Sequence, residues 1–125
     1  MKEKLGDWGE RRAARYLVDN GAWVIETNFT CKAGEIDIIA EDDGAIAFIE
    51  VKTRAELENG LPCESVNLSK RRRIAKAASL YIAQDRSGMM QAPDMDFRFD
   101  VIEILIMNKK VWIRHIKDAF CENDC

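Results

Sequence analysis

The stretch that most restricts the fold runs from Glu35 to Thr53, EIDIIAEDDGAIAFIEVKT. Two segments with the alternation of a half-buried hairpin are joined at Asp42-Asp43-Gly44, and Asp-Gly is among the strongest short-range hairpin signals. Asp37, Glu50 and Lys52 fall among its apolar positions, where a buried charge is costly unless it has a partner. Residues two apart on a strand share a face, so Glu50 and Lys52 project together with Ile46 and Phe48. A two-residue turn at Asp43-Gly44 pairs Asp42 with Ala45 and, counting back, sets Asp37 opposite Glu50, their Cβ atoms ~5 Å apart. A four-residue turn keeps Asp37 on that face; a three-residue turn breaks the count.

The flanking sequence supplies the rest of one unit. Residues from about Glu3 to Asn20 read as an amphipathic helix on Leu5, Trp8, Tyr16 and Leu17, with Asn20-Gly21 as its stop. Glu10 lies on the flank of its apolar stripe and reaches toward the core. Ala22 to Thr30 reads as a first strand, Glu35 to Glu41 and Ala45 to Thr53 as the hairpin, and Arg54 to Glu64 as a loop. From an Asn67 cap, residues 68–85 form a second helix with Ile74, Ala78, Tyr81 and Ile82 inward. A loop over 86–96 then leads to strands at 97–107 and 111–116, turning at Asn108-Lys109. The order αβββαββ implies an α/β fold: a mixed five-stranded sheet flanked by helices. The tryptophans Trp8, Trp23 and Trp112 and the phenylalanines are read as core.

A length of 125 residues, with 47% hydrophobic and 33% charged side chains, suits a single domain spanning the whole chain, 1–125. Lys2, Glu3, Lys4 and Asp7 interrupt any leader-like apolar run, and no stretch approaches the ~18 apolar residues of a membrane span. The expected location is the cytoplasm, with no membrane partner. Cys31, Cys63, Cys121 and Cys125 make no CxxC pair, so they are expected to be free thiols rather than a zinc site.

The net charge of −3 hides an uneven distribution. Gly34 to Glu64 holds nine acids against Lys52 and Arg54, whereas Ser65 to Arg86 holds six bases against Asp85. Opposed carboxylates repel unless a cation lies between them, and oxygen donors suit Mg²⁺ or Mn²⁺. Lys52 beside such a site can place a point charge against a phosphate or help to orient a metal-bound water. The bland alternative is solvated edge-strand charge. The basic run Lys70, Arg71, Arg72, Arg73 and Lys76 is either a solvated helix start or a DNA-backbone contact, to which Arg54 adds; Arg11, Arg12 and Arg15 would widen it. No base-reading motif is present. His115 is read as a sheet-edge hydrogen-bonding group, and Arg98 with Asp100 as an ion pair supporting the site.

GEIDIIAEDDGAIAFIEVKTR resembles the D-(x)n-E-x-K core of the PD-(D/E)xK nucleases, whose fold is the restriction-endonuclease-like α/β sandwich. GDWGERRAARYLVDNGAWVIETNF, GEIDIIA, FIEVKTR, RFDVI and HIKDAF together resemble the YraN-like family of bacterial proteins, which is similar to archaeal Holliday junction resolvases. The resemblance implies Asp37 and Glu50 as metal-binding carboxylates, Lys52 as catalytic lysine, Glu10 as an additional helix acid and the Val51 carbonyl as a further ligand. Ile36 stands where the motif has proline; Glu35, on the same side as Asp37, is read as solvated rim charge, with a competing ligand as the alternative.

Three functional readings follow. The first is a Mg²⁺- or Mn²⁺-dependent DNA endonuclease, structure-selective, in repair or recombination; a homodimer would suit the cutting of two strands. The second is a nucleic-acid-binding or scaffolding protein that keeps the fold without turnover. The third is a protein-interaction module whose acidic segment meets a basic partner.

Overall fold

Two residues of left-handed backbone, Asp43 and Gly44, make the tight turn that the Asp-Gly pair predicts. Positive φ at both central positions matches the twist of the flanking strands. Asp42 therefore pairs with Ala45, and the count runs back through Ala40↔Ala47 to Ile38↔Ile49. The structure, a computed structural model, describes residues 4–55, 68–85 and 87–120. Within them lie α1 (Leu5–Asp19), β1 (Trp23–Cys31), β2 (Gly34–Asp42), β3 (Ala45–Ala55), α2 (Leu68–Ala83), β4 (Asp96–Met107) and β5 (Lys110–Phe120), with one 3₁₀ turn at Met89–Gln91. The expected Asn67 cap, the loop beyond Ala55 and three of the four cysteines lie outside the described residues. Among the described residues, no helix is long and apolar enough to cross a membrane.

The five strands lie in chain order, antiparallel except for β3 and β4. That parallel pair requires a crossover, which carries α2. The fold is thus the expected α/β one, a mixed five-stranded sheet flanked by helices in the order αβββαββ. Each face buries its own cluster. Ile74, Ala77, Ala78 and Tyr81 of α2 pack with Ile46, Phe48 and Phe99; Ala13 and Leu17 of α1 pack with Ile38, Ala47, Ile49 and Ile102.

Because β3 is central and covered on both faces, every residue from Ala45 to Glu50 is buried, and the half-buried hairpin expected from alternation is corrected. Trp23, Trp112 and Phe97 also depart from expectation by being exposed, whereas Trp8 packs against the core. Trp23 is 72% exposed and Trp112 54%, whereas Phe29, Phe48, Phe99 and Phe120 are buried. Both exposed indoles sit on edge strands, which have a neighbour on one side only.

β5 runs four residues past the expected end at Ile116. Its pairing shifts between Val101↔Ile116 and Phe99↔Phe120, and Asp118 takes a left-handed conformation. The amide of Asp118, displaced by this bulge, donates to Asp100 Oδ1 at 2.9 Å, so a side chain replaces the ladder.

Gly9 sets how closely α1 approaches the sheet. A Cβ at this position would stand 1.8 Å from Thr53 Oγ1 of β3, far inside contact distance. Gly9→Ala should therefore cost roughly 1–3 kcal/mol by forcing helix and strand apart, read as a lower denaturant midpoint. An exposed control, Gly6→Ala, meets nothing within 4 Å and should not lower it.

Candidate functional site

The hydrogen-bonded ladder between β2 and β3 stops at Ile38↔Ile49, although β2 begins at Gly34 and β3 continues to Ala55. Where the strands separate, Asp37 Oδ2 accepts the Val51 amide at 2.8 Å. The carboxylate takes the place of a strand acceptor, which keeps the backbone donor satisfied while the sheet opens. Continuing the register by one step sets Asp37 opposite Glu50, and both are buried (9% and 7% exposed).

Three acids meet at this opening. Burial first, and then the charge of Glu50, push the Asp37 carboxyl up to about 8; the Val51 amide opposes them and Glu10 adds to them. Glu10 arrives from α1, one residue beyond Gly9. Its carboxyl is also raised, chiefly by partial burial, while hydrogen bonding to Asp37 pulls it down and the charges of Asp7 and Glu35 raise it further. The sequence-predicted trio Glu10, Asp37 and Glu50 is thus brought together. The electrostatics are those of a site short of positive charge.

Part of that charge comes from α2. Lys70 Nζ pairs with Glu50 Oε1 across the α2 face of the sheet. Lys70, expected at a DNA phosphate, is in this structure the counter-ion of a buried carboxylate. Beside the pair lies a cavity of about 510 Å³, lined by Thr30, Cys31, Glu35, Glu50, Lys70 and Arg73 among others. Among the described residues, no three Asp, Glu, His or Cys side chains are placed so that together they could hold a metal ion.

Lys52 stands two residues beyond Glu50 on the same face, half-buried, with Glu103 of β4 as its register partner. Val51 gives its amide to Asp37. The remaining basic residues spread out, as expected for neighbours on a helix. The Arg71 guanidinium lies 5.4 Å from the centre of the Phe120 ring, Arg72, Arg73 and Lys76 are exposed, and Arg54 sits half-buried near the end of β3. Of the flanking arginines, Arg12 stacks over Trp8 and Arg15 pairs with Asp19.

Sequence reasoning anticipated the pair between Arg98 and Asp100 but misplaced it. Arg98 Nη2 reaches Asp100 Oδ2 at 3.0 Å and Asp42 Oδ2 at 2.6 Å, so the pair anchors the hairpin's turn end rather than the opening at Asp37. Fully buried Asp100 also accepts from His115 Nε2 at 2.8 Å, whose Nδ1 lies 3.2 Å from Tyr16 Oη on α1. Burial alone would raise its carboxyl; hydrogen bonds from His115, Arg98 and the Asp118 amide hold it below the ordinary carboxylate range. The recurrence of His, Asp and Arg on two adjacent strands was the available signal, but β4 and β5 pair through a bulge that alternation does not show.

These observations define a class: an α/β protein with one helix on each face of a mixed sheet and an acidic opening beside its parallel strand pair. The chain belongs to UPF0102, an uncharacterised protein family whose model matches residues 9–104. It is 48% identical to a UPF0102 protein of Alkaliphilus metalliredigens over 120 residues, 96% of this chain and 100% of that one. A UPF0102 protein of Clostridioides difficile is 45% identical over 95% of this chain and 97% of its own length. One of Caldicellulosiruptor bescii is 45% identical over 94% of this chain and 98% of its own. None of these names states an activity.

The two acidic centres predict opposite pH limbs. Asp37 keeps its proton to about 8 when folded but only to about 3.8 when unfolded. The native state therefore binds more protons between these values, and stability falls as pH rises through them. Asp100 is depressed on folding, so its stabilisation is present above the unfolded value and is lost on acidification. In chemical denaturation followed across pH, Asp37→Asn should flatten the neutral limb and Asp100→Asn the acid one. Asp100→Asn should also destabilise at neutral pH by about 3 kcal/mol, because it removes the buried charge on which Arg98, His115 and the Asp118 amide converge and leaves Arg98 with Asp42 alone.

Proposed function

We propose that this protein is a Mg²⁺- or Mn²⁺-dependent DNA endonuclease of the PD-(D/E)xK type, selective for DNA structure rather than sequence. The observation that carries the reading is the gathering of Glu10, Asp37 and Glu50 where β2 leaves β3, with Lys52 two residues along the same face. The donor set is all oxygen and short of positive charge, which suits a hard divalent cation. Asp37, Glu50 and Glu10 would hold it, with the Val51 carbonyl as a further ligand. When bound, such an ion supplies Lewis-acid charge at a phosphodiester and a water acidic enough to attack it.

The chain's own groups do the rest. The Val51 amide fixes Asp37 by one carboxylate oxygen, and the hydrogen bond between Asp37 and Glu10 would give way when both acids turned to a cation. Lys52 holds an ammonium where charge develops on the phosphate. Lys70 neutralises Glu50 in this structure, and would turn to a substrate phosphate were that carboxylate to hold a cation. Arg72, Arg73 and Lys76, exposed along α2, grip the backbone without reading bases, so affinity should fall steeply with added salt.

A second reading is favoured by one observation: with Lys70 already on Glu50 and no three such side chains placed to hold a metal ion among the described residues, the chain can bind DNA without cutting it. Junction, flap and single-stranded DNA incubated with Mn²⁺ separate the two. The nuclease reading expects cleavage that drops roughly a hundredfold or more in Asp37→Ala and in Lys52→Ala, and less in Glu10→Gln. Salt-sensitive binding with no metal-dependent product supports the second reading. Cleavage that survives both substitutions removes the mechanism.

A further inference from the structure

We infer that the sheet face next to Lys52 seats one unpaired nucleobase bearing an exocyclic amine, a deepening that rests on the DNA reading above. The register places the seat. Lys52 lies beside Glu103, and Glu103 opposite Arg114, so one row crosses β3, β4 and β5 on a single face. The next row pairs Leu105 with Trp112, and the one after it Met107 with Lys110. At ~4.8 Å per strand and ~3.3 Å per residue, the Trp112 backbone stands roughly 12 Å from that of Lys52 and roughly 16 Å from that of Glu50, the reach of two or three nucleotides.

Among the described residues, this face is only partly covered. α2 covers it over Phe48 and Phe99, and that cluster stops short of Leu105, Met107 and Trp112. The uncovered part forms a cavity of about 370 Å³ lined by Glu103, Leu105, Met107, Trp112, Ile113 and Arg114. An indole that is 54% exposed above a thioether and a leucine offers a flat apolar platform. Stacking on such a platform is open to any base but only to an unpaired one, because a paired base keeps both faces inside the duplex.

Glu103 adds a demand that apolar packing cannot meet. It is 5% exposed; Oε1 stands 3.5 Å from Arg114 Nη1, and Oε2 is buried with no hydrogen-bond partner among the described residues. A buried carboxylate oxygen without a donor is costly, and the N4 amine of cytosine or the N6 amine of adenine is the donor a stacked base brings. The largely exposed Arg114 side chain and the half-buried Lys52 flank the platform, setting positive charge beside it for the nucleotide's phosphates. Ring, amine and phosphate are thus all answered on one surface continuous with the acidic opening.

The test uses the full chain in EDTA, which prevents cleavage, and measures anisotropy of labelled oligo-dC, oligo-dT and an abasic strand of equal length. Wild type should bind oligo-dC about tenfold more tightly than the abasic strand. Trp112→Ala should erase that difference without changing abasic affinity, and Trp112→Phe should keep most of it. Glu103→Leu, which removes both acceptor oxygens, should lower oligo-dC to the level of oligo-dT. Equal loss on all three strands in Trp112→Ala, or no loss on any, overturns the seat while leaving DNA binding intact. Failure of wild type to bind even the abasic strand overturns the DNA reading and the seat with it. A dimer in sedimentation that becomes a monomer on Trp112→Ala makes this face a self-interface, and also overturns the proposal.

Discussion

A single hydrogen bond, from the Val51 amide to Asp37, lets the central sheet come apart in a controlled way. Backbone donors inside a protein have to be satisfied, so two strands cannot simply diverge. By lending a side-chain oxygen at 2.8 Å, Asp37 closes the ladder after Ile38↔Ile49 and leaves space beyond it. The same act commits an acid to the interior. Everything else around the opening, the buried Glu50, the helix acid and the lysine from the crossover helix, responds to the charge placed there.

The helices reach the opening for different reasons. α1 approaches because Gly9 has no Cβ to strike Thr53, and the next residue, Glu10, is thereby carried to Asp37. α2 approaches as the crossover demanded by the parallel pair β3 and β4, and its first turn brings Lys70 to Glu50. One face of the sheet therefore contributes an acid and the other a base. The far end of the hairpin is held separately by Arg98, which bridges Asp42 and Asp100.

Local signals carried much of this in the sequence. Asp43-Gly44 specified a two-residue turn, the turn specified the register, and the register brought Asp37 to Glu50 without knowledge of the rest of the chain. What was hidden depends on irregular or non-local geometry. The bulge at Asp118 hands its amide to Asp100, and no alternation pattern contains that step. The exposure of Trp23 and Trp112 follows from which strands end up at the sheet's edges, a property of strand order rather than of composition. Lys70 was legible as a base near a helix start, but its partner was set by the helix's height over the sheet.

The contrast between Asp37 and Asp100 separates scaffold from site on physical grounds. Both are aspartates on strands, and burial pushes both carboxyls upward. Around Asp100 stand a guanidinium, an imidazole and an amide, all donating, so its charge is satisfied and its carboxyl titrates low. Around Asp37 stand one amide and two further acids, so its charge is resisted and its carboxyl titrates high. A fold seeking stability alone would gain by replacing the second arrangement with apolar side chains. It is kept instead beside a lysine and an open cavity, the kind of surrounding in which perturbed carboxyls mark candidate functional sites.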